Sequence, residues 1–313
     1  MADDFLCSTT VECPPSLLNK AAPLARTVTA VVNAGSPVVM RSVKMAVDEE
    51  LITPVLIGNK SDICLAAKEI DWDISELRLL EASDEQSSAA TAVSLARNHE
   101  VASLMKGNIH TDQLLKVVLD KQAGLRTNTR LSHVFHMSVA NSNASLCITD
   151  AVINVLPSVS TKLDIARNAT KLMHSIGYQK PKIAILSATE VVTEAMPSSV
   201  DASEIVAAAD AGEVEGAIIG GPFAFDNAVS PTAAKLKKIS HPVAGNADVL
   251  LVPNIETGNA LFKQMVYFMG AAAAGVVLGA TVPIVLTSRA DPAAARLAAT
   301  ALASIYANHT NSL

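Results

Sequence analysis

Short apolar runs recur along this chain, and each is followed by a stretch long enough to form a helix. Glycine, proline or polar residues bound each run. The runs span residues 38–40, 54–57, 101–105, 146–148, 183–186, 217–219, 249–252 and 284–286. Helices are expected at 87–98, 111–121, 162–176, 202–211, 232–238 and 292–306. Such alternation is typical of βαβ units and predicts an α/β fold with largely parallel sheets.

The composition agrees with this fold class. Hydrophobic residues make up 50% of the 313 residues and aromatic residues only 3%, so the core must consist of Ala, Val, Leu and Ile. Parallel sheets covered by helices on both faces use such residues, and the length allows two domains. The net charge of -6 argues against a nucleic-acid partner, which requires a broad basic face. A small anion needs only a few cations, for which Lys106, Arg126, Arg130 and Arg289 are candidates.

One long uncharged stretch, from Met265 to Ser288, has the length of a membrane span. Three glycines and a proline divide it into a helix, a small-residue turn region and a strand, which argues against a span. The first residues lack a basic region followed by an apolar one, so no secretory signal is expected. The four cysteines lack metal-ligand or redox spacing and are expected to be reduced thiols in the cytoplasm, with Cys147 packed in the core.

The run at 284–286 leads through Ser288 and Arg289 straight into a signal for the start of a helix. Asp291 suits the N-cap position and Pro292 the first helical position, and residues 293–303 are rich in helix formers. Ser288 and Arg289 are therefore expected beside the free N–H groups of a helix N-terminus, which favour an anion such as phosphate. The segment alone is equally consistent with a capped helix and a solvated arginine.

Ligands of open α/β sheets bind beyond the carboxyl ends of the strands. Lys106, Asp150, Asp226 and Ser288 each follow an apolar run. All four are therefore candidates for one cleft.

Four segments, in chain order, carry a resemblance to a known family. They are residues 104–111, 221–230, 243–259 and 286–291, and residues 150–154 and 185–190 agree as well. Together they resemble the phosphate acetyltransferase/phosphate butyryltransferase (phosphotransacylase) family, and the match is closer to the butyryltransferase-like branch. The resemblance runs from about residue 100 to about residue 291.

The resemblance implies an enzyme that exchanges coenzyme A and phosphate on a short acyl group, acetyl or butyryl. Coenzyme A or acyl-CoA and phosphate or acyl phosphate are then the substrates, with no cofactor and no metal. The implied fold has two α/β domains and an interdomain active-site cleft, similar to the isocitrate/isopropylmalate dehydrogenase-like fold. The first domain would comprise 1–140 plus 288–313 and the second 141–287, in a homodimer or larger homo-oligomer.

The resemblance also implies the catalytic residues. Ser288 and Arg289 match a Ser-Arg pair in which the arginine holds phosphate and the serine stabilises the developing charge or the thiol. The acetyltransferase branch carries an aspartate seven residues beyond the serine, and here Ala295 stands at that position. Asp291 and Asp226 are the remaining candidates for a general base, although a carboxylate that caps a helix would be a weak base.

Six further residues are candidates for substrate binding, and each also has a structural interpretation. Lys106 and Asn108 lie at a strand-to-helix turn near the phosphate end of the implied cleft. Thr111 is expected to cap the next helix, while His110 either donates to phosphate or makes a structural hydrogen bond. The other two candidates are Arg130, which clamps phosphate or is solvated, and Asn254, which supports the cleft or caps a helix.

Two alternatives to an acyltransferase remain. A metal- and NAD-dependent dehydrogenase of similar fold would need clustered aspartates and a nucleotide loop, and the sequence has no GxGxxG. A non-catalytic acyl-CoA-binding relative is suggested by Ala295 and by Gly220, where members of the family commonly carry an acidic residue.

Overall fold

The computed structural model describes residues 6–7, 11–139, 144–287 and 291–311. Its strands are β1 (Thr27–Val32), β2 (Ile52–Gly58), β3 (Arg78–Glu81), β4 (Ser103–Lys106), β5 (Ser132–Ser138), β6 (Ser145–Thr149), β7 (Lys182–Leu186), β8 (Ile218–Phe223), β9 (Val249–Leu251), β10 (Ala272–Leu278) and β11 (Ile284–Val285). Its helices are α1 (Pro15–Ala21), α2 (Pro37–Asp48), α3 (Lys60–Glu69), α4 (Glu85–Arg97), α5 (Thr111–Val118), α6 (Val159–Ser175), α7 (Pro197–Asp210), α8 (Phe225–Val229), α9 (Pro231–Leu236), α10 (Ile255–Met269) and α11 (Ala293–Asn311).

The chain divides into two compact units. The terminal unit combines Val11–Asn128 with Ala274–Leu313, and the central unit combines Thr129–Ala273 with Met1–Thr10. Both are α/β, as the alternating pattern predicts. The changes of unit after Asn128 and after Ala273 come earlier in the chain than the boundaries at 140 and 288 that the resemblance implies.

The sheet of the terminal unit has the strand order β3-β2-β1-β4-β11-β10. All neighbouring pairs from β3 to β11 are parallel, while β10 pairs antiparallel with β11. The small-residue turn region expected within 265–288 is thus wrong in part, because residues 272–278 form β10. Strand β10 begins with three alanines and a glycine, which have low strand propensity, so the sequence pattern does not indicate a strand.

The sheet of the central unit has the order β5-β6-β9-β7-β8. Strands β6, β9, β7 and β8 pair in parallel, and β5 adds to β6 in antiparallel register. Its core includes Met137, Ile148, Leu186, Phe223 and Leu250, all buried. The free thiol of Cys147 is buried 3.5 Å from the sulfur of Met173, so the prediction of core packing is confirmed.

The expected strand at 38–40 is wrong, because these residues belong to α2. Ser36 is the N-cap residue and Pro37 occupies the first helical turn. Met40, Val43 and Ala46 are the buried positions, and their spacing matches a helical period rather than a strand. The helix-start signal at Ser36 and Pro37 therefore outweighs the short apolar run.

Helix α11 forms much of the core of the terminal unit. Residues 297–307 are all buried, and Ser304 is bonded to Thr27 of β1 at 2.8 Å between the two hydroxyl oxygens. A helix that is apolar on every side is buried on every side. Among the described residues, no helix combines the length and apolar character needed to cross a membrane.

Candidate functional site

A cavity of about 250 Å³ lies within the terminal unit. Three parts of the chain line it: the first turns of α2, the end of β4 with the turn after it, and the end of β11 with one face of α11. The lining residues are Ser36, Val38, Val39, Ser42, Met105, Lys106, Gly107, Asn108, Val285, Thr287, Arg296 and Thr300. Ligands of parallel sheets bind at this edge, so the cavity is the candidate site of the described residues.

The start of α2 gives the cavity part of its chemical character. The side chain of its N-cap residue, Ser36, makes no capping hydrogen bond. A helix leaves its first N–H groups without partners inside the helix, and Val38 and Val39 from that first turn line the cavity. The helix dipole therefore favours an anion at this wall.

The turn after β4 is held against the turn after β1. The N–H groups of Gly107 and Asn108 donate to the carbonyls of Val32 and Asn33 at 2.9 and 2.8 Å. Asn33 Nδ2 donates in return to the carbonyl of Asn108 at 2.6 Å. A Cβ at position 107 would lie 2.4 Å from the carbonyl oxygen of Val32, so only glycine permits this approach. These bonds fix Lys106 and Asn108 at the cavity.

Among the described lining residues are two cations, Lys106 and Arg296, and no carboxylate. Arg296 Nε and Nη2 donate to the backbone carbonyl of Asp291 at 3.1 and 2.6 Å. Its Nη1 lies 3.2 Å from Ser42 Oγ and 3.5 Å from the carbonyl of Val38. Arg296 is not among the residues that the sequence predicts for the site. The available signal was an arginine in the first turn of a helix, where the dipole disfavours a cation.

The other candidates of the turn after β4 lie beyond the cavity lining. His110 is the N-cap residue of α5, and both its N–H and its ring Nδ1 lie 3.0 Å from carboxylate oxygens of Glu85. Glu85 is thus the partner that the structural interpretation of His110 requires. The expected capping role of Thr111 is wrong, because Thr111 is the first residue of α5 and His110 is the N-cap residue. The N–H of His110 donates to the carboxylate of Glu85.

Ser288 and Arg289 lie outside the described residues. Asp291 is described and half-buried, and α11 begins two residues after it. The contacts of Asp291 with Arg296 run through its backbone carbonyl.

Asp226, Arg130 and Asn254 belong to the central unit. Asp226 is exposed in the first turn of α8, and the N–H of Arg130 donates to Asp164 at 3.1 Å. Asn254 caps α10, since its Oδ1 accepts from the N–H and hydroxyl of Thr257 at 3.0 and 2.6 Å. The capping interpretation of Asn254 therefore describes its observed contacts.

Asp150 anchors the loop after β6. It is 2% exposed, and its carboxylate accepts from the N–H groups of Val152, Ile153 and Asn154 and from Asn154 Nδ2. Burial raises the pKa of this carboxyl, while the N–H donors act in the opposite direction. The bonds tie Asp150 to its own loop.

At Gly220, the ring of His241 takes the space of a side chain. A Cβ built on Gly220 would lie 2.4 Å from His241 Cε1 and 2.5 Å from Nδ1. Burial lowers the pKa of His241, opposed by the charge of Asp210. The ring of His241 thus fills the space of a side chain at position 220, where the resemblance places an acidic residue.

Comparison with known proteins gives consistent names. A family model described as "Phosphate acetyl/butaryl transferase" matches residues 83–304. A phosphate acetyltransferase of Rickettsia felis is 47% identical over 83% of this chain and 75% of the relative. A phosphate butyryltransferase of Clostridium beijerinckii is 36% identical over 86% of this chain and 89% of the relative.

Solved structures agree. A branched-chain phosphotransacylase from Enterococcus faecalis is 30% identical and superposes with a TM-score of 0.77, covering 90% of this chain and 99% of that one. A 4-hydroxythreonine-4-phosphate dehydrogenase from Klebsiella pneumoniae, 12% identical with a TM-score of 0.55 over 90% of this chain and 99% of that one, is similar in fold alone. From the family match and these identities, the chain belongs to the phosphate acetyl/butyryl transferase family.

Proposed function

We propose that the protein is a phosphate acyltransferase that moves a short acyl group, acetyl or butyryl, reversibly between coenzyme A and inorganic phosphate. The observation that carries the proposal is the family match over residues 83–304, which spans the cavity-lining turn after β4 and most of α11. In one direction, acyl-CoA and phosphate give acyl phosphate and free coenzyme A. Coenzyme A is a substrate, and the proposed chemistry uses neither a resident cofactor nor a metal.

The cavity supports phosphate binding in the terminal unit. The first N–H groups of α2 and the dipole of that helix favour an anion. Lys106 adds a positive charge to the lining. The hydroxyls of Ser36 and Thr287 supply further donors of the kind that phosphate oxygens accept. We therefore place the phosphate here, with Asn108 at the rim.

The same cavity offers an apolar surface for the acyl chain. Val38, Val39, Met105 and Val285 line it. An alkyl chain against these residues gains about 0.8 kcal/mol for each buried methylene. Chain length is thus expected to affect kcat/KM through these four side chains.

The proposed reaction proceeds by direct attack. Toward acyl-CoA, the thiolate of coenzyme A attacks the carbonyl of acyl phosphate, an oxyanion forms, and the bond to the phosphate oxygen breaks. A thiol has a pKa of about 8.5, so a base or a cationic neighbour promotes the thiolate. We assign phosphate binding to Arg289, whose planar fork pairs with phosphate oxygens, and stabilisation of the developing charge to Ser288. Asp291 and Asp226 are the candidates for the base.

The remaining expectations belong to the same proposal. His110, Thr111, Arg130 and Asn254 are proposed to bind or support substrate from their positions at helix starts and loops. A cytoplasmic homodimer or larger homo-oligomer, without nucleic-acid or membrane partners, follows from the resemblance and from the net charge of -6.

The test follows free thiol released from acetyl-CoA and butyryl-CoA in the presence of phosphate. Wild type is compared with Arg289→Ala, which is expected to lose kcat/KM by about 10²- to 10³-fold because it removes a preorganised charge. The ratio of the two substrates identifies the preferred acyl group. Omission of phosphate must abolish release.

Arg41→Ala is the matched control. Arg41 lies on α2 but pairs at the surface with Glu69 at 3.2 Å, so its removal should leave kcat/KM unchanged. A folded wild type that is inactive on both substrates would contradict the proposed function and favour the non-catalytic alternative. An unimpaired Arg289→Ala would contradict only the role of that residue.

A further inference from the structure

Arg296 connects two parts of the terminal unit. From the first turns of α11, its guanidinium reaches back to the carbonyl of Asp291 through two bonds, at 3.1 and 2.6 Å. Its third nitrogen donates to Ser42 Oγ on α2 at 3.2 Å. The start of α11 is thereby fastened to α2 across one wall of the cavity.

The position of this arginine is unfavourable unless it serves such a purpose. Near the N-terminus of a helix, the dipole repels a cation. Arg296 is the fourth residue of α11, which begins at Ala293. The guanidinium instead donates to oxygen acceptors outside α11, and the carbonyl of Asp291 accepts two of these bonds.

We propose that Arg296 is a positioning residue for acyl transfer, because it fixes the backbone of Asp291 and the start of α11 relative to α2. This inference rests on the proposed function. Asp291 is a candidate base, and α2 presents the N–H groups assigned to phosphate. The spacing between the two decides whether phosphate and the base act on one reacting centre, and a displacement of about 1 Å can cost about 100-fold in rate.

The planar shape of the guanidinium matters more than its charge. Nε and Nη2 bond the same carbonyl oxygen while Nη1 points to Ser42. A lysine carries the charge on a single nitrogen and cannot span these acceptors in one fixed geometry. A positioning role therefore predicts that lysine fails at this site as methionine does.

The experiment compares wild type with Arg296→Lys, Arg296→Met and the control Arg41→Met, measuring kcat and the KM for phosphate. Both Arg296 variants are expected to lose about 30- to 100-fold in kcat, with the KM for phosphate changed less than about threefold. Arg41→Met should match wild type. Hydrogen exchange at the amides of residues 295 and 296, which donate to the carbonyl of Pro292 at 3.1 and 3.2 Å, is expected to quicken about tenfold or more in both Arg296 variants. This result needs no turnover.

Four results would overturn the inference. Retention of kcat by Arg296→Lys would show that charge suffices. A rise in the KM for phosphate at constant kcat would make Arg296 a direct phosphate ligand. Losses of kcat that only follow the folded fraction, measured by thermal unfolding, would make its role structural. An inactive wild type is a separate result that contradicts the proposed function, while unchanged exchange at residues 295 and 296 contradicts the Arg296 inference alone.

Discussion

A buried histidine makes the stability of the protein depend on pH. His133 in β5 is fully buried, and within the described part of the chain neither ring nitrogen has a hydrogen-bond partner. Its ring packs against Phe135 with centroids 4.3 Å apart. Burial lowers the pKa of His133 from 6.5 to about 3.

The sign follows from which state binds the proton. Below pH 6.5 the unfolded chain protonates His133, whereas the folded protein does so only near pH 3, so stability present above pH 6.5 is lost as the pH falls. Each unit of pH costs about 1.36 kcal/mol in this window. At pH 5 the loss from this one residue is therefore about 2 kcal/mol relative to pH 8.

Urea unfolding of wild type and His133→Leu at pH 8 and pH 5 tests this value, at a fixed protein concentration. Leucine has a similar volume and no titrating group. The fall in unfolding free energy between the two pH values should be about 2 kcal/mol smaller in the variant. The packing cost of the substitution is the same at both pH values and cancels in this difference. Equal pH dependence of the two proteins would refute the reasoning.

Two further predictions concern other parts of the structure. Asp201→Asn should lower the free energy of unfolding in urea by about 2–4 kcal/mol, because Lys162, 3% exposed, loses the carboxylate 2.6 Å away. The double variant Asp201→Asn with Lys162→Met should recover most of this loss. A double variant no more stable than the single one would argue against the explanation. Gly107→Ala should lower kcat/KM more than about tenfold, because its Cβ would meet the carbonyl of Val32 at 2.4 Å, and an active, equally stable variant would contradict this.

Much of the fold could be predicted because buried parallel strands read as short apolar runs. Residues 183–186 and 249–252 are examples, and both became central strands. The pattern failed at 38–40, which a helix-start signal precedes, and it contains no run for β1, β3, β5 or β10. In these cases the deciding information was which neighbours the segment packs against, which a single short run does not contain.

The lining of the candidate cavity could be predicted only where one segment supplies it. Lys106 and Asn108 come from a single strand-to-helix turn, and the structure brings both to the cavity. The contact of Arg296 with Ser42 joins positions 254 apart in the chain, so no local pattern could reveal it. Asn254 could be recognised as a cap, because a helix N-terminus is specified within a few residues.

The arrangement of the terminal unit sets the order in which the cavity can be assembled during synthesis. Strand β1 leaves the ribosome early, but α11, which covers it through the bond from Ser304 to Thr27, is made only after the whole central unit. At about 5–20 residues per second, that interval lasts on the order of tens of seconds. Arg296 and Thr300 complete the cavity lining, so a nascent chain holds the Lys106 turn long before it holds a closed cavity. The cavity is thus complete only once α11 has been made and has packed against β1.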